Sequence, residues 1–494
     1  MLFCITIALA SFLLALGLVS GHNQHFFQHQ SAFESLSSWI NDQNQCAQSR
    51  ILANIAPFAD DPSAMAGAVC ASPSRAHPDY YYAWTRDSAL VMGEILNWLE
   101  KDNSTNSQQL NIVLDSYVGF TRHIQSLDTR YGLGEAKFNM DGTAFTKSWC
   151  NAQTDGPAIR ALVLIRLAEH RLSRGMESSF ESLIRVDLDY VSRVWWQNTH
   201  CDIWEESRGL HFYTAMAQHR ALRAGAELAQ RLGDWEASRK YSTVAEQIET
   251  LLLPRFKNHG SHVLTTIEWS GGLSSKTSNL DTQVLLASLH YTGGGQGMYS
   301  VGSSEMVSTV LAILRRFEFM YDINRVAYTE INGASVPIGV AAGRYPEDVY
   351  NGVGSSLGNP WSLVTSALAE YHYRLALAYA DAGYLVVSPE LIALLKWTAP
   401  YIRGNAEQFD SLQHKVVSDS DDHQFRGLLS YLLATGDLYM ARVARHTARD
   451  HTMSEQWNMY TGFGRGAVHL TWSYAAHTAA ARARSKLVAI INLK

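Results

Sequence analysis

Proline is scarce in this chain, with 11 in 494 residues, and no Ser/Thr-rich or Pro-rich tract divides one stretch from another. That excludes modules strung on linkers or a mucin-like stalk and leaves one unbroken unit. Cysteine is scarce as well: five occur, none in a CxxC pair, which removes zinc-ribbon and thioredoxin-like readings. Long runs of one charge are absent, and 40 Lys+Arg against 46 Asp+Glu give a net charge of only −6. A nucleic-acid partner would call for a basic stripe, and a charged tail for a run of like residues. No Walker loop and no HExxH helix is present, so phosphate-cradling and zinc-protease chemistry lack their markers. Gly352–Gly358 misses the dinucleotide-binding spacing and reads as a loop. What is present is a globular composition, 47% hydrophobic and 17% charged.

The first residues bear on the compartment. From Leu2 to Val19 every residue is apolar or small except Thr6 and Ser11, and Ser20-Gly21 precede a polar stretch from His22. That pattern predicts a signal peptide over 1–21, with 22–494 as one mature domain that is secreted or held in the secretory pathway or vacuole. No other segment is apolar enough to cross a membrane, so no stable membrane association is expected after cleavage. Cys46, Cys70, Cys150 and Cys201 remain in the mature chain and allow three pairings. The shorter loops favour Cys46–Cys70 with Cys150–Cys201. Asn103-Ser104-Thr105 is a glycosylation sequon. His22, His25 and His29 stand at the new N-terminus and read as solvated rather than metal-binding.

The dominant period is helical. Ala161, Leu164, Ile165, Ala168 and Leu172 recur at the spacing of one buried helix face, and Val364, Ala367, Leu368, Tyr371 and Leu375 repeat it. Twelve to fourteen such segments are predicted: 31–40, 45–56, 84–100, 107–127, 155–174, 180–197, 211–231, 233–255, 279–290, 303–321, 360–382, 389–400, 422–447 and 467–486. Alternating strands are nearly absent. Helical hairpins in one domain can close into an α/α toroid or stack as a solenoid, and the lack of a fixed 30–50-residue repeat disfavours the solenoid. Gly- and aromatic-rich loops at 129–153, 200–210 and 343–361 hold the acidic residues, and such loops are where sites usually sit.

Three carboxylates fall within Asp202-Ile203-Trp204-Glu205-Glu206. Mutual repulsion beside an indole raises one pKa, which suits a general acid. A second acid, Glu455, lies in Ser454-Glu455-Gln456-Trp457 before a glycine-rich loop. Two carboxylates on distant loops are what glycoside hydrolysis requires, and it needs no cofactor. Sugar sites also need aromatic platforms and bidentate donors, which Tyr80–Asp87 and Arg344–Asp348 supply.

Six ordered blocks carry a family resemblance: DYYYAWTRDS from Asp79, GLGEAKFN from Gly132, DGPAIR from Asp155, DIWEE from Asp202, GRYPEDVYNGVGSSLGNPW from Gly343 and SEQWNMYTGFGRGAVHLTWSY from Ser454. The chain resembles the fungal glucoamylases of glycoside hydrolase family 15, nearest the yeast-type members that lack a starch-binding domain. The resemblance implies an all-α (α/α)6 barrel. It also implies inverting exo-hydrolysis of α-1,4 and, more slowly, α-1,6 glucosidic bonds, releasing β-glucose from starch, glycogen or malto-oligosaccharides. By the motif match Glu205 is the general acid and Glu455 the base. Tyr80, Trp84, Arg86, Asp87, Trp149, Trp204, Glu206, Arg344, Tyr345 and Trp361 stand at sugar-binding positions. Arg86 and Asp87 would hold the terminal glucose, and Glu206 and Arg344 the neighbouring unit. Trp204 and Trp149 would supply the low-dielectric surface that keeps Glu205 protonated, with the two carboxyls set apart by the width of a water. Where the family usually has Gly-Arg-Pro after Trp149, this chain has Cys150-Asn151-Ala152, and Gly466 replaces a serine found near the base in some members. A monomer acting on a glucan, with no cofactor, metal or nucleic-acid partner, is expected. Trehalase-like or dextran-type specificity on the same scaffold, or glucan binding without turnover, are the alternatives.

Overall fold

The computed structural model describes residues 23–493 apart from 102–106, 177–178, 259–261, 293–296, 403–404, 414 and 419–421. The signal segment and the Asn103 sequon lie outside the described residues. Among those described are thirteen α-helices. They are α1 (Asn23–Ala53), α2 (Thr85–Lys101), α3 (Ser107–Gln125), α4 (Asp155–Leu172), α5 (Glu181–Val194), α6 (Phe212–Arg231) and α7 (Trp235–Gln247), then α8 (Gln283–Tyr291), α9 (Ser304–Phe317), α10 (Ser362–Ala382), α11 (Pro389–Thr398), α12 (Asp422–His446) and α13 (Thr471–Leu493).

Six of them form an inner ring. Helix α2 packs on α4, α4 on α6, α6 on α8, α8 on α10, α10 on α13, and α13 closes back on α2. An outer helix backs each: α3 on α2, α5 on α4, α7 on α6, α9 on α8, α12 on α10 and α1 on α13. The closed ring settles the choice between toroid and solenoid, and the architecture is an (α/α)6 barrel in a single domain. Inner helices face neighbours on most sides, which is why α10 is buried from Ser362 through Tyr373 rather than along one stripe. Outer helices show the narrower face: in α5 only Leu183, Ile184, Asp187, Leu188, Val191 and Val194 are buried.

Local chemistry starts and stops these helices. Asp234 caps α7 by accepting from the Ala237 N–H, and Ser303 and Ser388 cap α9 and α11 in the same way. Helix α10 ends at Gly383, whose φ of 72° is the left-handed turn that glycine adopts without a Cβ clash.

Two helix expectations change. Segments 31–40 and 45–56 are one helix, because Gln43, which breaks the apolar stripe between Ile40 and Ala47, is itself buried and satisfied. Its side chain donates to the His451 carbonyl at 3.1 Å and pairs with the His451 ring at 2.8 Å. The segment 233–255 is α-helical only to Gln247, then widens into a π-turn over Ile248–Leu252 and tightens over Leu253–Phe256, where Pro254 lacks the donor an α-helix needs.

Among the described residues ten short strands pair two by two, all antiparallel: β1 (Tyr82–Trp84) with β2 (Lys137–Asn139), β3 (Ser207–His211) with β4 (Thr266–Gly272), β5 (Tyr328–Ile331) with β6 (Ala334–Pro337), β7 (Tyr384–Val386) with β8 (Val416–Ser418), and β9 (Ser454–Trp457) with β10 (Gly464–Val468). Three of these ladders stiffen loops that lead into inner helices.

Of the two expected disulfides, Cys150–Cys201 is formed and Cys46–Cys70 is not. Cys46 sits within α1, while Cys70 is buried in the following loop with its thiol donating to the Ser72 carbonyl at 2.9 Å. Burial pushes the Cys70 thiol up to about 12, so it stays protonated and inert. No described helix is long and apolar enough to cross a membrane, and the described residues hold no cluster of metal-binding side chains.

Candidate active site

The segments that precede the inner helices converge at one end of the ring. Tyr80–Trp84 lead into α2, Trp149–Thr154 into α4, Cys201–His211 into α6, Lys276–Thr282 into α8, Arg344–Trp361 into α10 and Glu455–Leu470 into α13. Helix N-termini present unpaired N–H groups and positive dipole ends, which suits carboxylates and sugar hydroxyls. The cavity there has a volume of about 220 Å³, on the scale of a single hexose rather than a chain.

Eleven of the twelve residues anticipated for the site line this cavity: Tyr80, Trp84, Arg86, Asp87, Trp149, Trp204, Glu205, Glu206, Arg344, Trp361 and Glu455. Tyr345 does not. It is fully buried, and its hydroxyl donates to Glu206 Oε2 at 2.6 Å, so it holds a lining carboxylate from behind rather than meeting a ligand.

Glu205 and Glu455 enter from different loops. Glu205 sits at φ 66°, a left-handed position unusual for a residue with a Cβ. The turn beneath it explains the geometry: the Glu205 N–H donates to the Asp202 carbonyl at 3.0 Å, while Asp202 Oδ1 accepts from the Glu206 and Ser207 N–H groups at 2.8 and 3.0 Å. The Glu205 carboxyl takes two donors on Oε1, Trp84 Nε1 at 2.7 Å and Gln153 Nε2 at 2.8 Å. The indole that hydrogen-bonds it is therefore Trp84, while Trp204 and Trp149 line the same cavity. Trp204 turns its N–H the other way, to Asp281 Oδ1 at 2.8 Å.

Glu455 is buried on β9. Tyr350 donates to its Oε2 at 3.3 Å, and Tyr80 and Tyr350 meet hydroxyl to hydroxyl at 2.9 Å. Burial pushes the Glu455 carboxyl up to about 8, against the Tyr80 hydroxyl, the Arg344 charge, the Ala467 N–H and Tyr350. Gly466 makes the room: a Cβ there would lie 2.2 Å from Glu455 Oε2, and its φ is 74°. Asp87 is also raised by burial, to about 6, with Arg86 opposing.

Within the acidic trio one carboxyl is lowered and one is raised. Burial alone would raise Asp202, but Lys276, His211 and the Ser207 N–H together hold it well below its ordinary range. Glu206 is raised by burial, with Arg344 and Lys276 opposing. Arg344 grips Asp348 with two bonds of 2.8 and 2.6 Å and reaches Glu206 Oε1 at 2.7 Å. Arg86 divides its Nη1 between Gln153 Oε1 and Asp155 Oδ2, both at 3.0 Å.

Four further residues shape the site. Tyr350 and Trp472 line it from within blocks already noted, at positions one aromatic among several does not single out. Lys137 lies behind it with Nζ 3.2 Å from the Trp149 ring centroid and 4.3 Å from that of Trp84, a cation backing two lining indoles. Lys276 is the most consequential. Its buried ammonium sits 2.7 Å from Asp202 Oδ2, 3.4 Å from Asp281 Oδ2 and 3.7 Å from Glu206 Oε2. A lone lysine in a serine-rich loop carries no sequence signal of that role. Lys276→Met would strand two buried carboxylates, so a loss of roughly 3 kcal/mol in urea unfolding is expected, along with reduced turnover; wild-type stability would contradict it.

Gly354-Ser355-Ser356-Leu357-Gly358 spells the GxSxG of a nucleophile elbow, which the loop reading passed over. Its first four residues are exposed, it lies on no strand–turn–helix, and the Ser356 hydroxyl accepts from Asn351 at 2.7 Å. The loop reading stands.

Comparison with known proteins agrees with this architecture. The pattern described as glycosyl hydrolases family 15 matches residues 45–482. A glucoamylase of Blastobotrys adeninivorans is 34% identical over 475 residues, covering 92% of this chain and 73% of its own. Glucoamylase 1 of Rhizopus oryzae is 34% identical over 459 residues, covering 91% and 71%. The solved glucoamylase of Saccharomycopsis fibuligera superposes with a TM-score of 0.82 at 29% identity, over 92% of this chain and 96% of that one. A closed ring of six helical hairpins, a carboxylate-lined pocket at its N-terminal end and a family match running from α1 into α13 place this chain in glycosyl hydrolase family 15.

Proposed function

We propose that this protein is an exo-acting, inverting glucoamylase that removes β-glucose one unit at a time from the non-reducing ends of starch, glycogen and malto-oligosaccharides. The observation that carries the reading is the placement of Glu205 and Glu455, from two distant loops, on one cavity the size of a single sugar. A pocket of this size takes a chain end more readily than a chain middle, which supports exo-action. The terminal glucose lies against Arg86 and Asp87, and the next unit meets Glu206, Arg344 and the Trp149 ring. Glu205 gives its proton to the glycosidic oxygen as the C1–O bond breaks. Glu455, ionised, takes a proton from the water that attacks C1 on the opposite face, so the configuration inverts. No cofactor is needed for acid–base hydrolysis of this kind. The α-1,6 linkage is cut more slowly at the same site, and the enzyme acts as a monomer.

The apolar leader and the Cys150–Cys201 bond support an oxidising, secretory destination. A signal peptide over 1–21 completes the reading.

Proton NMR of the anomeric region during digestion of maltose and maltoheptaose is the test. Prompt β-glucose, with each oligomer shortened by one unit, is expected. Initial α-glucose would overturn inversion, and trehalose or isomaltose cleaved faster than maltose would overturn the specificity.

One observation favours a second reading of roles. Burial holds the proton on Glu455, which is also what an acid needs. Exchanging the two roles leaves the product anomer unchanged, so the distinction falls to α-D-glucosyl fluoride. Its leaving group departs as fluoride without a proton, and only the variant lacking the base should fail on it.

A further inference from the structure

We propose that the Cys150–Cys201 disulfide is a positioning device for the proton donor, fixing the hydrogen bond from Gln153 to Glu205. This rests on Glu205 being the acid. The bond joins the loop entering α4 to the loop entering α6, across 51 residues of sequence and a Cα separation of 5.9 Å. Its two ends stand close in sequence to the two partners of that hydrogen bond: Gln153 is three residues after Cys150, and Glu205 four residues after Cys201.

The noncovalent contacts follow the same path. Gln153 Nε2 lies 2.8 Å from Glu205 Oε1 and 2.9 Å from the Cys150 carbonyl, so one amide ties the carboxyl to the cysteine's own backbone. The Cys201 N–H donates to the Ala152 carbonyl at 2.9 Å. Arg208 Nη1 then spans both loops, donating to the Asn151 and Thr199 carbonyls at 2.7 Å each. Helices α4 and α6 already pack along their length, so the fold does not need the bond to bring them together. Its place is the end of the ring where Glu205 must hold still. A carboxyl resting on a left-handed turn is set by whatever braces its outer end, and a displacement of about 1 Å in such a group can cost about a hundredfold in rate.

The test compares the wild type, C150A/C201A, Q153A and the triple variant, each verified as folded by near-UV circular dichroism, on maltose and on α-D-glucosyl fluoride. With maltose the leaving oxygen needs the Glu205 proton. With the fluoride the C1–F bond breaks to release fluoride unprotonated, and only the attacking water needs a base. C150A/C201A is expected to lose about tenfold in kcat on maltose and nothing on the fluoride. Q153A should lose a similar factor on maltose and, because its Oε1 also accepts from Arg86, a smaller one on the fluoride; the triple variant should be no worse on maltose than the poorer of the two, as for residues acting as one unit. Equal losses on both substrates, no loss on maltose, or losses that multiply in the triple variant would each overturn the proposal.

Glu205→Gln separates this from the reading beneath it. Retained fluoride turnover establishes Glu205 as the acid, whatever the cysteine variants do. Lost fluoride turnover removes the acid role and the proposal with it. Should C150A/C201A fail to fold, the same maltose-to-fluoride ratio is read on wild-type enzyme reduced with a phosphine, with Cys150 and Cys201 confirmed as thiols by alkylation and mass spectrometry.

Discussion

Glu455→Gln should abolish turnover and yet resist unfolding better than the wild type at pH 8. Both effects follow from one buried carboxyl. Its folded-state pKa is raised by burial to about 8, against about 4.3 for an unperturbed glutamate. The folded protein therefore keeps a proton that the unfolded chain releases. Stability from this group is fully present below about pH 4.3 and is lost progressively as pH rises toward 8. Glutamine has nothing to ionise and escapes that loss, so the variant's advantage should be absent at pH 4 and reach a few kcal/mol at pH 8. Denaturant melts of both proteins at the two pH values measure it; equal stability at pH 8 would contradict the buried-carboxyl account. Turnover fails in the variant because glutamine cannot take a proton from water, a loss on the order of 10²–10⁴ in kcat. In the wild type the same pKa sets the acidic limb of kcat/KM. Activity should fall as pH drops through a value above the ordinary glutamate range, because the base must be ionised to act.

Glu205→Gln is expected to lower kcat on maltose by a further 10²–10⁴ relative to wild type, with the far-UV and near-UV spectra unchanged. Glutamine fits the same volume and can still accept from Trp84 Nε1 and Gln153 Nε2, so the loop geometry has no reason to change. What it lacks is the proton for the leaving oxygen. The loss should therefore be confined to substrates with a poor leaving group, whereas Glu455→Gln should fail on maltose and α-D-glucosyl fluoride alike. If Glu205→Gln loses both and Glu455→Gln keeps the fluoride, the roles are reversed. Near-normal maltose turnover in either variant would remove that residue from the mechanism.

Much of the site was readable because its residues cluster in short loops with unusual composition. Aromatic, acidic and arginine residues together in Tyr80–Asp87, Asp202–Glu206 and Arg344–Asp348 have few structural reasons to coincide, and eleven of the twelve candidates do line one cavity. Tyr345 falls outside that lining, because composition cannot tell a tyrosine that faces the cavity from one that faces the lining carboxylate. Lys276 escaped notice because its importance comes from Asp202, Glu206 and Asp281, and only Asp281 lies near it in sequence. Within the acidic trio, burial raises Glu206 while Lys276, distant in sequence, helps to lower Asp202.

By itself the sequence determined the helical class, the rough bounds of most helices and which loops carry the chemistry, because helix periodicity and loop composition are local properties written residue by residue. It also carried the family resemblance. Tertiary structure alone decided that the hairpins close through α13 on α2, that Gln43 sits inside one long helix instead of between two, and that Cys46 and Cys70 stay apart. It also decided that burial raises the Glu455 carboxyl. Those outcomes depend on distances between residues far apart in the chain and on the dielectric each group meets when folded, and neither exists until the ring has closed.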